Sequence, residues 1–310
     1  MTAQPGKFSK LPMLPLRLIA SHMDLKGVLT LSLISPYFNC AVGSLNYHIA
    51  EFKWIICAPG YFVIHLTQRG LSKIILRLSP QVLAKFVSSQ VLLTGQKIEI
   101  SRVNQMFSLK SGNLTSERIQ LFEALTNFLL RICKPEMFSF DSNLLWKSVF
   151  EHTQKFEIFK LRQQNLSIES AKFLFEGIEV DSFKLENVNV ETRDFQIFQL
   201  KHREMDLGIA LWLSKESLKT MKCQNLKYNQ RNLNFEYIKA SDVLPLIRSW
   251  MHGTELRNLK SLEIVLPIFE NTYREFEGMK NQVTQEVAEL EGVEIGEIVL
   301  FFSQFIFRAR

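Results

Sequence analysis

The side chains able to do chemistry are present but scattered. Six histidines (His22, His48, His65, His152, His202, His252) stand far apart, and none lies three or four residues from another histidine or a cysteine. The four cysteines (Cys40, Cys57, Cys133, Cys223) form no C-x-x-C pair and no spacing with histidine that would hold zinc. A disulfide frame, a structural metal and a resident cofactor therefore have no support. The chain has neither G-x-G-x-x-G nor G-x-x-x-x-G-K-S/T, so no phosphate cradle is encoded locally. A G-x-S-x-G nucleophile turn and an H-E-x-x-H zinc helix are missing as well. The expectation is a protein that binds rather than catalyses.

Binding classes can be narrowed by charge and composition. The net charge of +6 is uneven: residues 1–150 hold 16 Lys/Arg against 7 Asp/Glu, and residues 151–310 hold 21 against 24, giving +9 and −3. The basic half could attract nucleic acid or an acidic protein. Its charges, however, are single residues set between apolar ones, which favours a solvated surface. Phe is abundant (25) while Trp (4) and Tyr (6) are ordinary, and the phenylalanines sit inside apolar periodicities. Such residues fill cores more readily than they stack on bases. Nucleic acid is thus the less favoured partner.

The segment Met1 to Lys10 is polar and lacks the apolar centre of a signal peptide, and Asn113 and Asn165 head N-x-S/T triplets read as chance. The longest apolar stretch, Ile298 to Phe307, is about half the roughly 20 residues a membrane span needs. A cytoplasmic or nuclear chain without membrane contact is expected. Gly (13) and Pro (9) are few, which counts against a sandwich or propeller.

The elements that would position binding residues begin near the start. Pro15 suits a first helical position, and Leu16, Ile19, Ala20 and Met23 then fall on one helix face, with Leu18 off that stripe. Asp24 is an N-cap for a second helix over Leu25 to Ile34, apolar nearly all round. Ser35-Pro36 opens a third helix running to about His48. Three short helices in about 40 residues carry more apolar surface than so small a unit can cover. Either the downstream chain or a partner must cover the remainder.

Beyond residue 50, Lys53 to Leu66 reads as a hairpin about Pro59-Gly60, Lys97 to Ser101 as a strand, and Ser116 to Cys133 as an amphipathic helix capped by Ser116. Residues 71–90 are ambiguous. From about residue 135, strand-like runs (137–140, 156–161, 183–188, 205–209, 221–228, 262–266) alternate with helix-like ones (168–177, 192–200, 214–219, 241–252). Their spacing brackets the 20–29 residues of leucine-rich repeats, and Leu259-x-x-Leu262-x-Ile264-x-Leu266 has that repeat's strand spacing. The expected architecture over roughly 97–267 is an irregular leucine-rich-repeat-like α/β stack. An acidic helix from Glu270 and one strand over Ile298 to Phe307 complete the chain.

The order Leu14-Pro15-Leu16, Ile19, Met23-Asp24, Leu29 and Leu31-Ser32-Leu33-x-Ser35 resembles the F-box of the large nematode F-box family. Pro36-Tyr37 stands where such proteins commonly carry basic residues. A second stretch is similar to the F-box-associated region of that family: Leu211-Trp212-Leu213-Ser214-x-Glu216-x-Leu218, Ser241-x-x-x-Pro245-Leu246-x-x-x-Trp250-x-x-Gly253, and Leu259-x-x-Leu262-x-Ile264. Trp250 and Gly253 also read as helix-end packing and a helix stop. The resemblance implies an α/β chain with a three-helix F-box at 8–50 and a substrate-binding domain at 51–310. It further implies a substrate-recruiting subunit of a cullin-RING (SCF-type) ubiquitin ligase. The N-terminal helices would dock on the small adaptor subunit, and the C-terminal domain would hold an unidentified protein target. Adaptor contacts would come from Leu14, Pro15, Leu18, Ile19, Met23, Leu29, Leu31 and Ser35, with Leu18 foremost. The alternatives are an interaction scaffold outside the ligase and a nucleic-acid binder using the basic half.

Overall fold

The computed structural model describes residues 12–43, 45–57, 60–69, 73–80, 88–93, 96–112, 115–191, 198–210, 212–229, 239–252, 256, 258–265, 270–289, 295–301 and 304–309. The chain is mixed α/β and divides into two compact units, Met1–Ser142 and Asn143–Arg310. The division therefore does not fall at residue 50, and the N-terminal helices share a unit with the strands that follow them.

In the first unit, α1 (Met13–Ser21), α2 (Leu25–Ile34) and α3 (Pro36–Val42) are set by their caps. The Asp24 carboxylate accepts from the Gly27 N–H at 2.7 Å, and the Ser35 hydroxyl accepts from the Phe38 N–H at 3.2 Å. The third helix stops at Val42 instead of reaching His48. From Tyr47 onward the residues alternate in burial, and the chain enters β1 (Tyr47–Cys57), which turns at Gly60 (φ 89) into β2 (Tyr61–Thr67). The ambiguous stretch contains β3 (Ile74–Ser79) and the start of β4 (Ser88–Leu93). Next come β5 (Gln96–Val103), β6 (Met106–Lys110), α4 (Thr115–Ile132) and β7 (Cys133–Ser142). Ser116 lies inside α4, not at its cap.

Strand order in this unit is β7-β1-β2-β3-β6-β5-β4. The β1/β7 and β3/β6 pairs are parallel; β1/β2, β2/β3, β4/β5 and β5/β6 are antiparallel. Helix α4 covers one face. Its Phe122 meets Phe62 edge-on at 5.3 Å, and its Thr126 hydroxyl accepts from Trp54 Nε1 at 3.2 Å.

The second unit is built on a parallel ladder. Strands β8 (Lys155–Arg162), β10 (Glu179–Glu186), β12 (Glu204–Ile209), β13 (Asn225–Asn229) and β14 (Ser261–Val265) pair in chain order, all parallel. The ladder starts at Lys155 rather than near residue 97, whose strand belongs to an antiparallel neighbourhood in the other unit. Between ladder strands lie short connections: α5 (Val149–His152) before β8, then β9 (Asn165–Leu166), α6 (Ile168–Lys172) with a π-helical turn Phe173–Gly177, and β11 (Asn189–Val190). Helix α7 (Lys215–Lys219) is capped by Ser214, and α8 is Ala240–Met251. The helix expected over Thr192–Leu200 falls partly outside the described residues, and Phe198–Leu200 is not helical. After α9 (Glu270–Glu289), the single terminal strand expected from the sequence is instead a pair, β15 (Ile295–Phe301) and β16 (Gln304–Ala309). The two are antiparallel, and β16 adds antiparallel to β14.

Two consecutive turns of the ladder repeat at an offset of 24 residues. Phe159 and Phe183 pair in register, as do Leu161 and Leu185, and Asn165 pairs with Asn189 in the small β9/β11 sheet. Gln163 and Asn187 both take left-handed backbone (φ 49 and 54), which turns the chain out of β8 and β10 alike. Inside, Phe159 stacks on Phe183 (5.7 Å, 8°), Phe183 meets Phe175, and Phe175 and Phe198 meet Trp212. The abundant phenylalanine is thus spent on a core, and each rung's aromatic side chain seats the next rung's.

Removing one of these rings leaves a cavity that neighbouring rungs cannot close. Phe183→Ala is expected to destabilise the second unit by about 3–5 kcal/mol. Denaturant unfolding followed through Trp146 and Trp212 fluorescence checks it.

Candidate protein-docking surfaces

Helix α1 has one face inside and one outside. Leu16 and Ala20 are fully buried, while Leu14 is 76%, Leu18 65% and Ile19 37% exposed. Pro15 is exposed too. Leu14 and Leu18 are one turn apart and Ile19 lies beside them, so together they make a continuous apolar strip. On α3, Tyr37 is 38% exposed. Of the remaining candidate contacts, Leu29 is fully buried, Met23 and Leu31 are half-buried, and Ser35 is occupied as the α3 cap. The structure thus separates the eight residues into an outward group on α1 and an inward group that packs the helices on each other.

Polar contacts hold α1 through its Arg17 side chain and through the backbone at its C-terminal end. Arg17 Nε donates to the Ala41 carbonyl at 3.3 Å, and the Tyr47 hydroxyl donates to the carbonyls of Ala20 and Met23. Burial, then Asp24, pushes the Tyr47 phenol up, so it stays a neutral donor. The helices also rest on their own unit. Arg102 donates to the Thr30 hydroxyl at 3.1 Å, and Arg131 donates to the Asn39 side-chain carbonyl at 2.8 Å. Part of the surplus apolar surface is therefore covered by this chain, and the α1 strip is the part left open.

A second surface is the polar side of the ladder. Aligned across it stand Lys160, Lys184, Asp206, Lys227 and Glu263. Glu186 receives Lys160 at 2.8 Å, Arg162 at 3.1 Å and Lys184 at 3.3 Å. Lys184 also reaches Asp206 at 3.4 Å, and Lys227 reaches Glu263 at 2.5 Å. The neighbouring row, Ile158, Ser182, Glu204, Asn225 and Ser261, lies beside it, and residues of both rows line a shallow groove of about 280 Å³. Sequence reasoning named no residue here. Its signal was available as the 24-residue recurrence of F-K-L at Phe159 and Phe183.

Neither surface carries catalytic geometry. Among the described residues no cluster of His, Cys, Asp or Glu could hold a metal ion, and no helix is long and apolar enough to cross a membrane. His202 is buried and fixed by a 2.7 Å hydrogen bond between Nε2 and the Leu174 carbonyl, with its ring against Phe183. Burial also pushes the Cys133 and Cys223 thiols up to about 12, which leaves them inert at neutral pH. Trp250 packs edge-on against Phe307 at 5.1 Å, a structural role, and Gly253 lies outside the described residues. Comparisons with family models, with curated proteins and with solved structures return no match.

Desolvation lowers the His202 pKa from 6.5 to about 4. Between those values the unfolded chain binds the proton and the folded chain does not, so this contribution is complete above pH 6.5 and lost as pH falls toward 4. Unfolding of the second unit at a series of pH values is expected to show stability declining through that window. The decline should be shallower in His202→Gln.

Proposed function

We propose that the chain is a substrate-recruiting F-box subunit of a cullin-RING ubiquitin ligase, with the outward face of α1 docking on the small adaptor subunit. The observation that carries the reading is that strip: Leu14 and Leu18, 76% and 65% exposed, on a helix whose other face and backbone are tied down. Neighbouring leucines held in water have an unfavourable free energy of about 25 cal/mol per Å² of apolar surface, which a partner removes on docking. The proposal implies no bond-making by this chain. It acts by raising the effective concentration of a target's lysines near a ubiquitin-charged enzyme carried elsewhere in the complex.

The scaffold reading has one observation in its favour: the hydrogen bonds from Arg102 and Arg131 to the helices, which fix them without any partner.

Co-expression with the adaptor followed by size exclusion tests the proposal. A one-to-one complex is expected for the native chain. It should be lost in Leu18→Asp, with far-UV circular dichroism and melting unchanged, since the Leu18 side chain is mostly in solvent. Adaptor binding that survives Leu18→Asp and Leu14→Asp together overturns the assignment.

A further inference from the structure

The sheet of the second unit ends in a strand with one edge open. Among the described residues, β16 bonds to one side of β15 and no strand bonds to the other. Edge strands are ordinarily guarded by charges, prolines or bulges along their length, because their bare N–H and C=O groups are a template for another chain. On β15 the register shift and the charged residue, Glu297, both fall at the start, and the run Ile298-Val299-Leu300-Phe301 has no such guard. The core also stays open there. Ile298 pairs with Phe307 and Leu300 with Phe305, so both point to the enclosed side of the sheet. Phe305 and Phe307 are fully buried, yet Ile298 and Leu300 are only half-buried. On the opposite side Val299, beside Ile306, is half-buried as well.

Helix α9 lies over this edge. Its Phe276, Met279 and Val283 are buried, Phe276 meets Phe305 at 5.3 Å, and the helix packs on β15. Helix α8 meets the sheet at Phe307 of β16, through Trp250. Glu286 of α9 accepts from Arg248 of α8 at 2.9 Å, which fixes the flank of α9 turned toward α8. At about 100° per residue, the flank turned away from α8 and toward the open edge carries Glu277 and Lys280.

We propose that this edge joins a second copy of the chain, β15 to β15, in a two-fold dimer. The inference stands apart from the ligase reading, since such a dimer keeps the one-to-one ratio with the adaptor at twice the mass. The strand is its own complement. Antiparallel pairing about Val299 sets Ile298 beside Leu300 of the copy, so the row Phe307-Ile298 runs on into Leu300-Phe305 of the copy. Both half-buried side chains are then enclosed. Position 297 falls beside position 301 of the copy, which keeps the two Glu297 residues at opposite ends of the pairing; a parallel addition would oppose them directly. The same axis makes the two α9 flanks antiparallel, and Glu277 and Lys280, one turn apart and opposite in sign, then face each other's counterpart. A strand from another protein would require none of this self-complementarity, so the residues favour the second copy.

Sedimentation equilibrium of the full chain over a wide range of concentrations tests the proposal. A monomer–dimer equilibrium is expected. Val299→Lys should weaken it at least about tenfold, because two lysines meet at the axis, with thermal melting of the dilute chain unchanged. Val299→Glu should weaken it likewise, and mixing the two variants should restore a mixed dimer. Glu277→Lys should also weaken association, and Glu277→Lys/Lys280→Glu should recover it. A chain monomeric throughout, a dimer indifferent to Val299→Lys, variants that stay monomeric when mixed, or a dimer lost in Leu18→Asp rather than in Val299→Lys would each overturn the inference.

Discussion

Three short helices with more apolar side chains than they can share among themselves impose the main constraint on the first unit. Burying one face of α1 through Leu16 and Ala20 turns Leu14 and Leu18 outward, because residues two apart on a helix point to opposite sides, and leaves Ile19 at the edge between the two faces. The rest of the unit answers that geometry. The Arg17 side chain ties α1 to the Ala41 carbonyl and Tyr47 holds the Ala20 carbonyl at its C-terminal end, so the helix is fixed without covering the strip. An apolar surface kept rigid has little conformational entropy left to lose on docking, which makes it a better partner face than the same leucines on a mobile arm.

Local chemistry explains which elements could be read from the sequence. Helix α2 begins and ends where Asp24 and Ser35 place it, since both caps act within three residues and need no distant partner. The turn at Gly60 is equally local. Helix α3 ends earlier than its apolar residues suggest, because Tyr47 to Cys57 gains more by pairing with β2 on one side and β7 on the other than by extending a helix. The pairing of β1 with β7 was hidden for the same reason. The β1/β7 pairing joins segments more than eighty residues apart, and no window of the sequence shows it. At the other end, one apolar run resolved into two strands, as the antiparallel pairing of β15 with β16 needs a reversal inside it.

The candidate site was legible in the same uneven way. Leu18 stood out by lying off the apolar stripe, and it is one of the two most exposed leucines of α1. Leu29 could not be assigned to partner or core from spacing alone, since α2 is apolar all round; only packing shows it fully enclosed. The ladder's charged face was invisible because its cations and carboxylates come from five strands, and their neighbourhood exists only once the register is set.

That register also determines what the ladder face can do. Most of its charges are neutralised by one another, with Glu186 alone receiving three cations, so the face presents little net field to a partner. Recognition there would rest on shape and on hydrogen bonds from Ser182, Asn225 and Ser261. Ser261 donates to the Asn225 side-chain oxygen at 2.8 Å. A surface whose charges neutralise one another gains little from any single added charge, so it can tolerate many neighbours.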